Sequence, residues 1–170
     1  MKYFLLFVLS IQLSFALIIS PEDALKQTLG ADNVIKKSKI LTKAQHKQVQ
    51  QLAKTKLKSK LYRVYHAKKS GHIIGHGILL TEIVRSKSTA VLYIVNAKGE
   101  LQAIEIIAFN EPKEYLPSKR WLKQFDKNQD ENFSSQDGNI NNVSGATLSA
   151  SAVINVANLA HAIWKVALSQ

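Results

Sequence analysis

Between Leu61 and Phe109 four runs of β-branched and aromatic residues succeed one another, and this stretch limits the possible fold more than any other part of the chain. Leu61-Tyr62-Arg63-Val64-Tyr65, then Ile73 to Val84, Ala90 to Val95 and Leu101 to Phe109 each have the composition of a strand. The last two are joined by Asn96-Ala97-Lys98-Gly99, a hairpin signal with a glycine available for a left-handed position. An antiparallel sheet is expected.

The C-terminal element is the most regular. After Thr147 the residues Leu148, Ala152, Val156, Leu159, Ile163 and Val166 recur at helical spacing, with Lys165 as the one charge before Gln170. Asn155, Asn158 and His161 interrupt the run too often for a membrane helix, so burial against the sheet is expected. Upstream, Pro21-Glu22-Asp23 opens a short helix that Gly30 closes, and a longer one starts at the capping box Thr42-x-x-Gln45. Its apolar stripe is thin (Ala44, Val49, Leu52, Ala53, Leu57) and its other faces are Lys and Gln. Glu111 to Pro117 reads as a loop, Ser118 as the cap of a short helix through Phe125, and Asp126 to Asn142 as a polar surface excursion. The class is α+β: a single antiparallel sheet packed against helices, with a lysine-rich helical extension at its N-terminus. The expected divisions are a leader over 1–16, the basic extension over 17–60 and the sheet domain over 61–170.

The leader is read from Met1-Lys2-Tyr3, the apolar run Phe4 to Phe15 and the small-residue pattern ending at Ala16, which together resemble a secretory signal. This places the protein in the periplasm or cell envelope, with an uncleaved anchor as the second possibility. With no cysteine, disulfides, thiolate catalysis, lipidation through a thioether and cysteine-based zinc or haem sites are excluded. Lys and Arg number 23 against 12 acids, and every charged residue from Lys36 to Lys69 is basic. Such a surface is either a solvated face or a dock for an acidic protein or anionic headgroups, and export argues against nucleic acid.

Ser144-Gly145-Ala146-Thr147 lies between the polar excursion and the C-terminal helix. Small residues let a ligand approach the backbone there, and the first amides of a helix are donors at the positive end of its dipole, which suits a phosphate. A plainer reading makes Thr147 an N-cap hydroxyl with Gly145 in the turn. His72 and His76, four apart on a strand, are a second candidate pair for a metal or haem iron.

Asn141-Asn142-Val143-Ser144-Gly145-Ala146-Thr147 resembles the flavinylation signature of the FMN-binding domain family, found in the flavin-carrying subunits of Nqr and Rnf redox complexes and in small periplasmic FMN proteins. The strand pair around Gly99 and the segment Asn110-Glu111-Pro112 through Glu114-Tyr115 to Trp121 and Phe125 are also similar, so the likeness runs from Gly71 to Leu168. The resemblance implies FMN joined as a phosphoester to Thr147 by a periplasmic flavin transferase that uses FAD and a divalent cation. It implies contacts to the cofactor from Asn141, Ser144, Gly145, Ala146 and Leu148, with Tyr115 and Trp121 packing on the ring and Glu114 touching its polar edge. Trp121 is equally readable as a core residue and Glu114 as a solvated loop acid. The family's Asp three residues before the Ser/Thr-Gly-Ala-Ser/Thr run is Asn141 here, isosteric but uncharged. Such a protein is an electron carrier served by a membrane-bound or acidic redox partner. A non-redox envelope binding protein with a vestigial motif is the alternative, and an enzyme reducing a small acceptor a third.

Overall fold

The computed structural model describes residues 18–126, 133–134, 140–141 and 146–169. Helix α1 (Pro21–Leu29) is started by Ser20, whose hydroxyl accepts the Asp23 N–H, and ended by Gly30 at φ 67°. Strand β1 (Asn33–Ile40) follows, then α2 (Lys43–Leu52), where the Thr42/Gln45 capping box forms in both directions. The strands β2 (Leu61–Lys69), β3 (His72–Val84), β4 (Lys87–Asn96) and β5 (Leu101–Phe109) come next. A 3-10 turn (Lys113–Tyr115) leads to the single-turn α3 (Lys119–Leu122), capped by Ser118 and continued as a 3-10 turn through Phe125. The chain ends on α4 (Thr147–Ala167), 21 residues long.

All five strands lie in one antiparallel sheet in the order β1-β2-β3-β4-β5. The expected α+β architecture is therefore present, with one strand more than the β-rich runs announce. β1 pairs with β2 from Asn33↔Lys68 to Ile40↔Leu61. It lacks an alternating apolar pattern because it is an edge strand with no residue below intermediate exposure, and Lys36, Lys37 and Lys39 stand on it. Lysines on an edge discourage pairing with another chain.

Alternation along the strands sends two sets of side chains to opposite faces. On one face Tyr62, Ile78, Val91, Tyr93 and Ile104 meet α2, the α3 turn and α4. On the other, Tyr65, Leu92, Ile94 and Ile107 meet Ala24 and Leu25 of α1. Gly77 permits that approach, since a Cβ there would come within 2.9 Å of Leu25. α4 seats on the sheet through a face rich in small residues: Ala150, Val153, Ala157 and Ala160 are buried. The stripe that the periodicity picks out is only partly covered, and Leu148, its first member, is 55% exposed. Among the described residues no helix is long and apolar enough to cross a membrane, and the expected leader lies outside them.

Candidate functional site

Thr147 is the first residue of α4 and is exposed. The cap position is taken by Ala146, buried, with φ −128° and ψ 32°, and it offers no side-chain acceptor to the first turn. The first hydrogen bond back to the cap runs from the Ala150 N–H to the Ala146 carbonyl, so the amides of Leu148 and Ser149 precede it. A helix start with an exposed threonine, and with a cap residue that offers no side-chain acceptor, suits an esterified phosphate. The reading of Thr147 as the N-cap does not hold, because the helix begins on Thr147 itself. Ser144 and Gly145 lie outside the described residues, as do Asn142 and Val143.

Upstream of this turn, Asn141 is anchored by the α3 turn and its 3-10 continuation. The Trp121 indole N–H donates to the Asn141 carbonyl, and the Asn141 N–H donates to Gln124 Oε1 at 2.9 Å. Ile140, 1% exposed, is in the core beside Phe125 and Phe133. Asn141 is thus fixed through its backbone while the residue remains exposed. Trp121 is 7% exposed and packs edge-on against Phe125, with ring centroids 5.3 Å apart. It occupies the core position that the sequence leaves open for it, and its polar atom holds the approach to α4.

Tyr115 and Glu114 sit on the 3-10 turn after β5. The Tyr115 ring is covered by the Arg85 guanidinium, 3.9 Å from its centroid, and Glu114 is exposed. The acid of this loop that does structural work is Glu111, which sequence reasoning did not single out. Its Oε1 accepts the Ser86 N–H at 2.9 Å and the Lys87 N–H at 2.8 Å, closing the β3–β4 turn where Arg85 has φ 50°. Those bonds, with that of Ser86 the largest influence, hold its carboxyl below the ordinary glutamate range.

His72 and His76 are not brought together. The β2–β3 register shifts at Ala67/Lys68, which puts an extra residue between the two histidines and breaks the alternation on which the expectation rests. His72 is exposed, whereas His76 is buried and faces His66 across the ladder, Nδ1 to Nδ1 at 3.0 Å. Among the described residues no three His, Asp or Glu side chains are placed to hold a metal ion.

On the outer side of α4, two to three turns beyond Thr147, a cleft of about 460 Å³ opens between the helix, the connection from Thr55 to Ser59 and the sheet. Nothing in the sequence announces it, because its walls come from three segments far apart in the chain.

No curated protein matches the chain. A family model, the FMN-binding domain, matches residues 85–162, from the β3–β4 turn to the last turns of α4. The match takes in the Ser144-to-Thr147 segment, the start of α4 and the Trp121 helix that supports it. It is narrower than the likeness read from the sequence and leaves α1, β1, α2, β2 and β3 outside. Residues 85–162, a little under half of the chain, are thus similar to the FMN-binding domain family, and the match supports a flavin-binding role for that part of the protein.

Proposed function

We propose that this protein is an extracytoplasmic electron carrier that holds FMN as a phosphoester on Thr147. The observation that carries the reading is the exposed Thr147 at the first position of α4, after a cap residue with no side-chain acceptor and inside the segment matched by the family model. Attachment is a transfer from FAD: the Thr147 Oγ–phosphorus bond forms, the pyrophosphate bond on the flavin side breaks, AMP leaves and the hydroxyl proton is released. A flavin transferase of the envelope with its divalent cation supplies this step. When bound, the flavin provides one- and two-electron chemistry at its ring system.

The chain's own residues position it. The amides of Leu148 and Ser149 lie where phosphate oxygens can accept from them, and Trp121 with Gln124 fixes Asn141 upstream. The basic surface from Lys36 to Lys69 suits a membrane-bound or acidic redox partner rather than nucleic acid. An electron carrier, rather than an enzyme with its own substrate, is the form this reading takes.

Intact mass after export with a flavin transferase, together with visible absorbance that survives denaturation, tests it. A gain of one FMN less water, lost in Thr147→Ala, is the expected result. An unmodified chain under conditions that load a positive control would reject covalent attachment.

A further inference from the structure

Resting on the proposed attachment, we infer that the cleft beside α4 takes the isoalloxazine ring of a flavin tethered at Thr147, so that the lysine-rich segment before β2 forms one wall of the flavin site. The volume, about 460 Å³, is within the range of small-molecule sites, roughly 300–1,000 Å³. Its walls mix polar side chains with an apolar set that includes one aromatic ring: Leu57 from the connection, Tyr62 from β2, Leu80 from β3, and Val156 and Leu159 from α4. The site is already built. The Tyr62 hydroxyl donates to the Ser59 carbonyl at 2.8 Å, and the Leu57 N–H donates to Gln50 Oε1 at 3.1 Å, which pins the connection over the strand.

Reach agrees. Along α4, Asn155 is eight residues and Leu159 twelve residues from Thr147, about 12 and 18 Å at helical rise. Seven single bonds from phosphorus to the ring nitrogen span on the order of 9 Å when extended, which brings the ring system alongside Asn155 and Leu159. Leu148, Ala152, Asn155 and Leu159 lie at helical spacing between the two points, and each is exposed or half-buried.

The strands supply polar recognition. β2–β3 pairing stops at Arg63↔Leu79, whereas β3 stays paired with β4 as far as Val84↔Lys87. The β3 edge from Leu80 to Glu82 therefore faces the cleft without a neighbouring strand, and an open strand edge offers both N–H and C=O groups. The pyrimidine edge of a flavin carries one donor between two acceptors and can pair with such an edge. Three residues walled by the connection are too short a template for strand addition by a peptide. Lys56 and Lys58 stand at the rim, Lys58 at 3.2 Å from Glu82. By contrast, Trp121 and Tyr115 are already covered, one by the core and the other by Arg85.

The test uses the full chain, exported and loaded, with mass confirming FMN on Thr147 in every sample. Asn155→Trp puts an indole at the exposed rim of the cleft, and Arg120→Trp puts one on the exposed face of α3 near Trp121 and Tyr115. Flavin emission in Asn155→Trp should fall several-fold below wild type and recover in urea, while Arg120→Trp leaves it unchanged. Acrylamide should quench the folded wild type less than the unfolded chain. If Tyr62 already darkens the wild type, Tyr62→Leu should brighten it. Emission indifferent to Asn155→Trp and Tyr62→Leu, or lowered by Arg120→Trp alone, overturns the inference. If mass finds Thr147 unmodified, the covalent reading fails by itself, and free FMN titrated into the apo chain decides the cleft. Binding that depends on Asn155 and Tyr62 in the same way upholds it, and no binding overturns it.

Discussion

At Gly99 the β4–β5 turn takes φ 88° and lies against the indole of Trp164 near the end of α4, where a Cβ would overlap three ring carbons. Gly99→Ala should therefore cost about 2–4 kcal/mol, from the left-handed backbone and the displaced ring together, visible as a lower urea midpoint. The turn was legible in the sequence, but the contact with Trp164 was not, because it depends on how α4 crosses the sheet. His76 illustrates the same limit: its partner is His66, ten residues away, chosen by a bulge that no residue pattern marks. Burial, then the neighbouring His66, pushes its pKa down to about 4, and burial with Lys37, Lys68 and Lys39 also lowers that of His66. Both folded values lie below the ordinary value near 6.5, so the unfolded chain binds more protons as pH falls from about 6.5 toward 4, and stability present above that window is lost through it. For His76 this loss is on the order of 2 kcal/mol. Urea midpoints at pH 7 and pH 4.5 should diverge less in His76→Gln than in wild type. At Asn141 the exposed amide stands where the family has a carboxylate, so Asn141→Asp should speed FMN incorporation, read as the modified fraction against time, without altering the fold.

Among the elements, the sheet and α4 were legible because β2 to β5 are rich in β-branched and aromatic residues and α4 carries a period near 3.6 from Leu148 to Val166. β1 was not, since an edge strand held by its backbone ladder to β2 needs no buried side-chain row. The seating of α4 was misjudged for a related reason: periodicity favours large apolar residues, yet close approach to the sheet favours Ala150, Ala157 and Ala160. Of the large residues, Leu159 is then left at the cleft and Leu148 in solvent. The α3 turn shows what an element can do for a site it does not touch. Trp121 reads from sequence as a ring contact or a core residue; in the fold its buried ring and its N–H together tie Asn141 to the core. Trp121→Phe keeps most of the apolar area and removes that donor, leaving the Asn141 carbonyl without the indole. A loss of about 1 kcal/mol or somewhat more is expected, with faster amide exchange at Asn141 and slower FMN incorporation at an unchanged Thr147. Equal incorporation rates in the two proteins would mean that the tether is structural alone.

For the whole molecule, formal charge is +11 and the run from Lys36 to Lys69 contains no acid, so the positive field is concentrated on β1, α2, β2 and the connection that walls the cleft. The family match begins only at residue 85, so this basic part lies outside the matched residues although β1 and β2 belong to the same sheet. Its electrostatic effect on electron exchange can be measured without knowing the natural partner. If the ring lies in the cleft, small redox ions reach it past Lys54, Lys56 and Lys58, all exposed. Reoxidation of the reduced, loaded protein by an anionic oxidant should then slow as salt rises, and reoxidation by a cationic oxidant should quicken. Screening sets in as the Debye length falls from about 30 Å at 0.01 M to about 8 Å at 0.15 M. Replacing the three lysines by Gln should shrink both slopes and also lower the reduction potential, because the charge gained on reduction loses nearby cations. A ring held instead on the far side of α4, beside Tyr115, would feel Arg85 and Lys113 rather than these lysines. The triple variant would then leave the potential where it was, and only the long-range part of the salt dependence would change.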